Sequence, residues 1–417
     1  MSSNRQKYVL YFENILEGSV SLSELKADIS VSERKFFNML FMSAFRHLTF
    51  IKTEVLPLFV KKKIPNKQKI LKSILYLGIT ELLFLNTPDY ATVNSYVEIA
   101  KAKTDKFGAN FVNAVLRNVL KNKGSILSNR KNKYFSSDFL KILKHDYTNA
   151  EISEMEIMAN IEPPLDLTFK SNVSLKIDDG FLLPTGSLRL PAHTHVEHIP
   201  GFSEGGWWVQ DAASALVVKC LSDLKEKKVL DLCAAPGGKT AQLLDAGAFV
   251  TAVDISEKRL QRLNENMQRL HFSENLKIIC ADALKFNTNE KFDFIVIDAP
   301  CSATGTYRRH PEIMNTKTLD DVLQQANLQQ KILNHACQFL SPKGILSYST
   351  CSLSKKEGEE QIHHFLEQHN DFEILPITLA LDDAMYTKER FLRILPYHLK
   401  EFSGIDGFFI ATLQRKI

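Results

Sequence analysis

Apolar residues recur every three or four positions along the amino-terminal part of the chain, and this spacing predicts amphipathic helices. The segments that show it are Tyr8–Leu16, Phe36–Leu48, Ile70–Leu85 and Phe107–Leu120. Pro and Gly are scarce in this part, and Ser21 or Ser23 and Ser32 are candidate helix caps. We therefore expect residues 1–145 to form an all-α bundle.

The pattern changes over residues 146–205, where short β-prone pieces alternate with Pro, Gly and Asn. These pieces are Leu165–Lys170, Phe181–Leu183 and Ser187–Leu190. Short apolar runs that are bounded by turn-forming residues predict strands. We expect a short β-rich linker domain in this region.

From residue 206 to the end, apolar runs of strand length alternate with helical patterns. Strands are predicted at Val229–Leu232, Phe249–Val253, Leu276–Ile279, Phe292–Ile297, Ile345–Tyr348 and Phe408–Leu413. Helices are predicted to begin at Thr240 and to cover Glu257–Leu270. This alternation is typical of βαβ units, and it predicts a mostly parallel, doubly wound α/β sheet for residues 206–417.

Charge is distributed unevenly over the 417 residues, whose formal net charge is +4. Residues 1–150 hold 24 Lys and Arg against 12 Asp and Glu, and residues 151–417 hold 28 against 36, which gives net charges of +12 and −8. A basic amino-terminal part indicates a polyanionic partner, most plainly a nucleic acid. The alternative is a solvated charged face, for example at Lys61, Lys62, Lys63, Lys67 and Lys69.

Six Cys residues without a CxxC pair argue against a disulfide framework or a structural zinc site. The first residues do not resemble a signal peptide, and the most apolar stretch, Ile74–Leu85, is interrupted by Glu81. We expect a soluble, reduced, cytoplasmic protein that binds neither a metal nor a membrane.

A glycine-rich loop, Cys233–Thr240, separates the first predicted strand of the α/β region from the helix that follows. Gly237 and Gly238 leave backbone N–H groups accessible at a helix start, which suits an anionic or carboxylate-bearing ligand. A phosphate-binding Walker loop requires glycine where Cys233 stands, and the dinucleotide pattern GxGxxG is absent. The loop of S-adenosylmethionine-dependent methyltransferases is the third interpretation, and we favour it.

Three aspartates follow successive predicted strands, and this ordered series supports the methyltransferase interpretation. Asp254 can accept hydrogen bonds from both ribose hydroxyls, although a helix cap is an alternative role. Asp282 can face an adenine amino group, or it can be an ordinary turn residue. Asp298 follows the next strand, beside a cysteine.

Two cysteines lie just past predicted strands, where residues of an open α/β sheet line the ligand crevice. Cys301 follows Asp298, and Cys351 follows Thr350. Free cysteines are most often small buried hydrophobic residues, but thiols in this position also suit covalent catalysis. Amino-group methyltransferases often have an aromatic residue where Cys301 stands. A thiol there points instead to a pyrimidine ring carbon, because thiolate addition at carbon 6 makes carbon 5 nucleophilic, and Asp298 can hold N3.

At these residues the sequence resembles the NOL1/NOP2/Sun family of RNA cytosine-5 methyltransferases. The matching segments are Gly201–Gly205, Val209–Ala213, Ala234–Thr240, Asp298–Gly305, Arg308–Pro311, Thr350–Ser352 and Gly404–Phe409. Residues 1 to about 140 resemble the NusB-like RNA-binding bundle, most clearly at Phe111–Val119. The region 146–205 is short for the RRM-like middle domain of this family.

The resemblance implies that Cys351 is the nucleophile and that Cys301 assists product release. It implies a Rossmann-like S-adenosyl-L-methionine-dependent domain after a NusB-like domain, with one cytosine of 16S rRNA as the substrate, free or in an assembling subunit. A single chain completes such a site, so we expect a monomer. The expected cofactor contacts are Cys233, Ala234, Ala235, Pro236, Gly237, Gly238, Lys239, Asp254, Arg259, Asp282 and Asp298.

The remaining motifs each have two interpretations. Arg308, Arg309 and His310 either clamp phosphates beside the target base or tie loops together. Trp207 and Trp208 either pack in the core, which we favour, or stack on a base. Lys239 contacts either the substrate base, which we favour, or a backbone carbonyl. An alternative function for the whole chain is a non-catalytic RNA chaperone or antitermination factor.

Overall fold

A computed structural model of the protein describes residues 2–27, 29–62, 64–65, 68–173, 175–192 and 194–416. The chain divides into two compact units. The helical unit comprises Met1–Asn160 and Arg309–Thr318, and the α/β unit comprises Ile161–Arg308 and Leu319–Ile417. Lys63, Lys67 and the side chain of Ser23, which were named above, lie outside the described part.

The helical unit confirms the all-α prediction for the amino-terminal part of the chain. Its helices are α1 Ser2–Leu16, α2 Leu22–Ala27, α3 Val31–Phe50, α4 Leu56–Phe59, α5 Lys69–Phe84, α6 Asp89–Lys103, α7 Lys106–Lys121, α8 Lys123–Ser128, α9 Ser137–Asp146 and α10 Asn149–Met158. Apolar side chains at helical spacing form one core, in which the rings of Phe12 and Phe45 stack with centroids 4.5 Å apart.

Helix caps confirm one prediction and correct another. Ser21 caps α2, because its Oγ accepts the N–H of Glu24 at 3.2 Å while its own N–H donates to the Glu24 carboxylate at 2.8 Å. The prediction for Ser32 is wrong, since Ser32 lies inside α3 and Ser30 stands at the N-cap position.

The segment Arg309–Thr318 belongs to the helical unit, although it follows the Cys301 loop in sequence. It contains the short helix α14, Ile313–Thr316, which packs on α1, α3 and α9. The Asn315 amide donates to the carbonyl of Phe45 at 2.9 Å, and Ile313 and Met314 are buried. The periodicity of apolar residues in the sequence does not indicate that this segment belongs to the helical unit.

A small antiparallel sheet begins the α/β unit. Its strands are β1 Leu165–Phe169, β2 Phe181–Leu182, β3 Leu188–Leu190 and β4 Trp207–Val209, in the order β2-β3-β1-β4. Three of these strands match predicted pieces, and β4 follows residue 205 in the chain. The domain limits drawn at 145 and 205 remain predictions.

The main sheet confirms the doubly wound α/β prediction. Its elements are α11 Ala212–Lys219, β5 Lys228–Leu232, α12 Gly238–Asp245, β6 Phe249–Asp254, α13 Glu257–Arg269, β7 Leu276–Cys280, β8 Phe292–Asp298, α15 Leu319–Ala336, β9 Leu340–Thr350, α16 Glu359–Gln368, β10 Phe372–Ile374, β11 Leu392–Ile394 and β12 Phe408–Arg415. The strand order is β10-β12-β9-β8-β5-β6-β7. The strands from β9 to β7 are parallel, and β12 is antiparallel to β9.

Both faces of this sheet are covered, which explains why its central strands are continuous apolar runs. Val229 of β5 belongs to one apolar cluster, whereas Leu230 and Leu232 belong to the other. The carboxyl ends of the parallel strands therefore form the part of the sheet that is available for a site. None of the helices in the described part of the chain is both long and apolar enough to span a bilayer.

Candidate active site

The two cysteines singled out in the sequence lie together. Asp298 ends β8, and Cys301 follows three residues later, while Cys351 directly follows β9. Since β8 and β9 are parallel neighbours with Asp298 paired to Ser349, their carboxyl ends bring both thiols to one place. The two Sγ atoms are 3.4 Å apart.

The surroundings of Cys301 keep its thiol protonated. The hydrogen bond with Cys351 raises its pKa well above the usual 9.0, and burial and the negative charge of Glu357 act in the same direction. Because the thiolate is the reactive form of cysteine, Cys301 is a poor nucleophile in this arrangement. Either thiol can be the donor in the hydrogen bond between the two sulfurs, and the protonated Cys301 carries an S–H that is able to donate.

The glycine-rich loop turns sharply between β5 and α12. Cys233 and Gly237 both have left-handed backbones, with φ of 61° and 102°. Gly237 stands at the N-cap of α12, which begins at Gly238 rather than at the predicted Thr240. A Cβ on Gly237 would lie 2.9 Å from Leu263, so both conformation and space require glycine here. The prediction of an accessible N–H group is wrong for Gly237, because its N–H donates to the carbonyl of Ala234 at 2.9 Å. Gly238 begins α12, where the first N–H groups of a helix have no acceptor within the helix.

Asp254 ends β6 with a buried side chain that organises the glycine-rich loop. Its carboxylate accepts the N–H groups of Ala235 at 3.1 Å and Ser256 at 3.0 Å, and Arg259 lies 3.4 Å from it. Arg259 also donates to the carbonyl of Ala235. The alternative role of Asp254 as helix cap is wrong, because Ser256 is the N-cap of α13.

Asp282 follows β7 and has the local contacts of a turn residue. Its carboxylate accepts the N–H of Leu284 at 2.9 Å, and its carbonyl accepts the N–H groups of Lys285 and Phe286. It also lines the same cavity as Asp254. The two interpretations of this residue are thus compatible.

The residues that line this cavity suit a nucleoside. The cavity measures about 350 Å³, and Asp254, Asp282 and both cysteines line it together with the apolar side chains of Ile255 and Ile332. Carboxylates accept hydrogen bonds from hydroxyl and amino groups, and apolar walls suit a base. Cys233 lines the cavity too, and burial raises its pKa to about 12, so that it contributes a neutral wall.

Lys239 is buried beside Asp298. Its Nζ lies 2.7 Å from the Asp298 carboxylate and donates to Ser214 Oγ at 3.0 Å, and it lies 5.3 Å from the ring centre of Phe408. These contacts are to side chains rather than to the backbone carbonyl considered above. A second cavity of about 430 Å³ is lined by Ala234–Lys239, and Asp298 lines both cavities.

Asp231, the second-to-last residue of β5, is a site residue that was not assigned a role from its sequence. It is fully buried, lines the second cavity and accepts a hydrogen bond from Thr240 at 2.7 Å. Burial raises its pKa to about 7. Its position near the carboxyl end of the first strand, close to the glycine-rich loop, was the signal that could have identified it.

Two of the weaker motifs have structural roles. Arg308 is buried and donates to the carbonyl of Ser403 at 2.5 Å, which supports a tie between loops for this residue. His310 lies 3.5 Å from Glu312. Trp207 and Trp208 are buried and donate to Pro200 and Gln210, so core packing is confirmed for both.

A doubly wound sheet with a glycine-rich first loop and an acid after each following strand defines the class of Rossmann-like S-adenosylmethionine-dependent methyltransferases. Residues 218–414 match the model of the 16S rRNA methyltransferase RsmB/F family, and residues 3–121 match that of the NusB family. The chain belongs to the 16S rRNA methyltransferase RsmB/F family. It is a methyltransferase with an rRNA substrate and S-adenosyl-L-methionine as cofactor, and the non-catalytic alternative is not supported.

Curated relatives resemble the chain over most of its length. The ribosomal RNA small subunit methyltransferase B of Vibrio cholerae is 32% identical over 377 residues, which cover 85% of this chain and 83% of the relative. That of Proteus mirabilis is 30% identical and covers 96% of each chain.

Two solved structures resemble the fold. PH0851 has a TM-score of 0.75 at 20% identity and covers 98% of this chain and 99% of its own. A methyltransferase homologue from Pyrococcus horikoshii has a TM-score of 0.53 at 25% identity, with 67% and 99% covered.

Proposed function

We propose that the protein methylates carbon 5 of a cytosine in 16S rRNA through a covalent bond between Cys351 and carbon 6 of the base. The observation that carries this proposal is the pair of thiols, 3.4 Å apart, at the ends of adjacent strands. Methyl transfer to an amino group requires no thiol, whereas carbon 5 of a cytosine must first be activated by addition at carbon 6.

In the first step, the Cys351 thiol loses its proton to solvent and Sγ forms a bond to carbon 6. The electron pair of the 5,6 double bond forms a double bond between carbons 4 and 5, and the pair of the double bond between carbon 4 and N3 moves onto N3. The ring then needs a proton or a strong hydrogen bond at N3. The pair formed by Lys239 and Asp298, whose Nζ and carboxylate oxygen are 2.7 Å apart, supplies a proton at the edge of both cavities. Ser214 holds Lys239 in this position.

When bound, S-adenosylmethionine supplies an electrophilic methyl group. We propose that Asp254 and Asp282 hold its nucleoside part, because both carboxylates line the cavity with apolar walls. Gly238, the first residue of α12, presents its N–H group to the carboxylate end, and Gly237, which has no side chain, allows the close approach. Arg259 supports the loop through Ala235. Cys233, Ala234, Pro236, Lys239 and Asp298 complete the proposed contacts.

In product release, the proton on carbon 5 passes to solvent and its electron pair re-forms the 5,6 double bond. The bond between carbon 6 and Cys351 Sγ breaks, and its electron pair returns to the sulfur. Cys301 assists because its raised pKa keeps a proton on its sulfur, beside the sulfur that leaves. A hydrogen bond from Cys301 to the departing thiolate stabilises it.

The test is incubation with S-adenosylmethionine and unmodified 16S rRNA, followed by mass spectrometry of the digested nucleosides. We expect 5-methylcytidine from the native protein and none from Cys351→Ala. Cys301→Ser should accumulate an RNA adduct on Cys351, seen as a slower band in a denaturing gel. Cys280→Ala is the matched control, because this exposed cysteine lines neither cavity.

Full activity of Cys351→Ala, or N4-methylcytidine as the product, would show that the proposed chemistry is wrong. An assembling small subunit used in place of naked rRNA distinguishes the two possible substrates. All of the proposed site residues come from one α/β unit, so we further propose that a monomer is active, which light scattering of the active protein tests.

A further inference from the structure

Glu357 is a buried carboxylate next to the two cysteine loops. It ends the 3-10 turn Lys355–Glu357, and its side chain has no exposed surface. A carboxylate in such a place is unfavourable unless hydrogen bonds replace its hydration. The hydrogen-bond partners of Glu357 therefore indicate its role.

One set of partners belongs to the Cys301 loop. The Glu357 carboxylate accepts the backbone N–H of Ser302 at 2.8 Å and the Ser302 hydroxyl at 2.5 Å. Gln329 of α15 donates to the same carboxylate and to the carbonyl of Pro300, both at 2.9 Å. The residues on both sides of Cys301 are thus fixed, one directly by Glu357 and one through Gln329.

The other set belongs to the Cys351 loop. The Ser352 hydroxyl donates to the Glu357 carboxylate at 2.5 Å, and the Thr350 hydroxyl donates to the Glu357 carbonyl at 3.1 Å. The Ser302 and Ser352 hydroxyls are themselves 3.2 Å apart. The residues on both sides of Cys351 are therefore bonded to Glu357 as well.

We propose that Glu357 is a positioning residue that sets the separation of the two thiols by binding the residue after each of them. This inference rests on the proposed function, because the separation matters only if both thiols act on one base. The Glu357 carboxylate accepts three hydrogen bonds from the two loops, one from a backbone N–H and two from hydroxyls. The link is rigid, because each donor would be buried without an acceptor if the carboxylate moved away.

The test compares Glu357→Gln with Glu360→Gln, which removes the same charge from an exposed position on α16. In the variant, the NH₂ group of the glutamine side chain takes the place of one carboxylate oxygen and faces groups that donate hydrogen bonds in the native protein. The hydrogen bonds that join the two loops are therefore weakened. A displacement of about 1 Å in a reacting group costs on the order of 100-fold in rate. We expect kcat to fall about 10- to 100-fold in Glu357→Gln, with Kd values for S-adenosylmethionine and rRNA within about twofold of native. Glu360→Gln should match the native protein.

A second readout reports the charge of Glu357 directly. Because this charge contributes to the raised pKa of Cys301, Glu357→Gln should alkylate at Cys301 at lower pH than the native protein. Peptide mass spectrometry after iodoacetamide treatment measures this, with the buried Cys337 as internal reference. A variant that merely loosens the fold would expose Cys337 too.

The outcomes separate this inference from the proposed function. If the native protein makes 5-methylcytidine and a folded Glu357→Gln does so at the native kcat with the native alkylation profile, only the positioning role is wrong. If the native protein makes another nucleoside, the proposed function is wrong, and the alkylation profile still tests the link. If Glu357→Gln does not have the circular dichroism spectrum of the native protein, Ser352→Ala is used in its place. We expect a kcat about tenfold lower than native for Ser352→Ala. A native kcat in this variant would overturn the inference.

Discussion

Asp231 carries an ionisable group whose titration couples the site to the stability of the α/β unit. Burial raises its pKa from 3.8 to about 7, although the hydrogen bond from Thr240 and the charge of Lys239 oppose this shift. Between about pH 4 and pH 7 the folded unit therefore holds a proton that the unfolded chain has released. The free energy of unfolding falls as the pH rises through this range, and it stays lower above it.

We predict that Asp231→Asn removes this pH dependence, because an amide has no charge to bury. One pKa unit corresponds to about 1.36 kcal/mol. The free energy of unfolding of the native protein should therefore fall by ~4 kcal/mol between pH 4 and pH 8, and that of the variant should not show this fall. Urea unfolding followed by tryptophan fluorescence measures it, since both tryptophans, Trp207 and Trp208, lie in the α/β unit. Asp223→Asn, at an exposed position, should behave as native. Parallel pH profiles for native protein and Asp231→Asn would contradict the prediction.

At the residue scale, the sequence predicted the site residues that lie at or just past strand ends, and it did not predict those that tertiary contacts bring to the site. Cys301, Cys351 and Asp254 were identifiable because strand ends in a parallel sheet converge on one crevice. Gln329 and Glu357 occur among other polar residues, and only the packing of α15 and the turn at 355–357 buries them. Their spacing in the chain therefore gave no signal of a site.

At the scale of elements, the loops around the site are held together by a close approach of two glycines. Gly407 donates its N–H to the carbonyl of Gly305 at 2.9 Å, and Gly305 donates to the carbonyl of Cys351 at the same distance. A Cβ on Gly305 would collide with the backbone carbonyl of Gly407. At Gly305, the loop that carries Cys301 therefore contacts two other loops directly through backbone hydrogen bonds.

We predict that Gly305→Ala separates these loops. The free energy of unfolding of the α/β unit should fall by about 1–3 kcal/mol, as overpacking does, and methyl transfer should slow more than tenfold because the thiols move apart. Fluorescence-detected urea unfolding and incorporation of labelled methyl groups measure the two effects. Gly124→Ala, whose Cβ meets open space on α8, controls for the general effect of the substitution. A native rate in Gly305→Ala would show that the close approach is unimportant.

The strands of the main sheet were predictable because apolar runs of strand length are covered on both faces. The helix α15 was not predicted, since Gln329 occupies a buried position in it and weakens the apolar stripe. The α14 segment was missed for another reason, because four residues are too few to show a period. Both omissions concern elements whose burial depends on contacts distant in sequence.

At the scale of the whole molecule, the helical unit is built from two pieces of chain that are far apart in sequence. Met314 is fully buried, and its carbonyl accepts the N–H of Ser136 at 3.3 Å. The helical core is therefore complete only when Arg309–Thr318 is in place.

We predict that Met314→Ala lowers the free energy of unfolding of the helical unit by about 2–5 kcal/mol, because it removes a buried side chain that the surrounding helices cannot replace. Hydrogen exchange followed by mass spectrometry should show faster exchange in peptides of α3 and α9, on which α14 packs. Val31→Ala, at an exposed site on α3, should leave exchange unchanged. Equal exchange in Met314→Ala and native protein would contradict this expectation.

The divided helical unit has a consequence for synthesis on the ribosome. Residue 160 is translated 158 residues before residue 318, the end of the inserted segment. At 5–20 residues per second this interval is on the order of 10 s. Throughout it the nascent helices lack Ile313 and Met314, and the apolar surface that these side chains cover faces water. The amino-terminal part therefore cannot finish folding first, and the two units mature together as the last quarter, roughly, of the 417 residues is made.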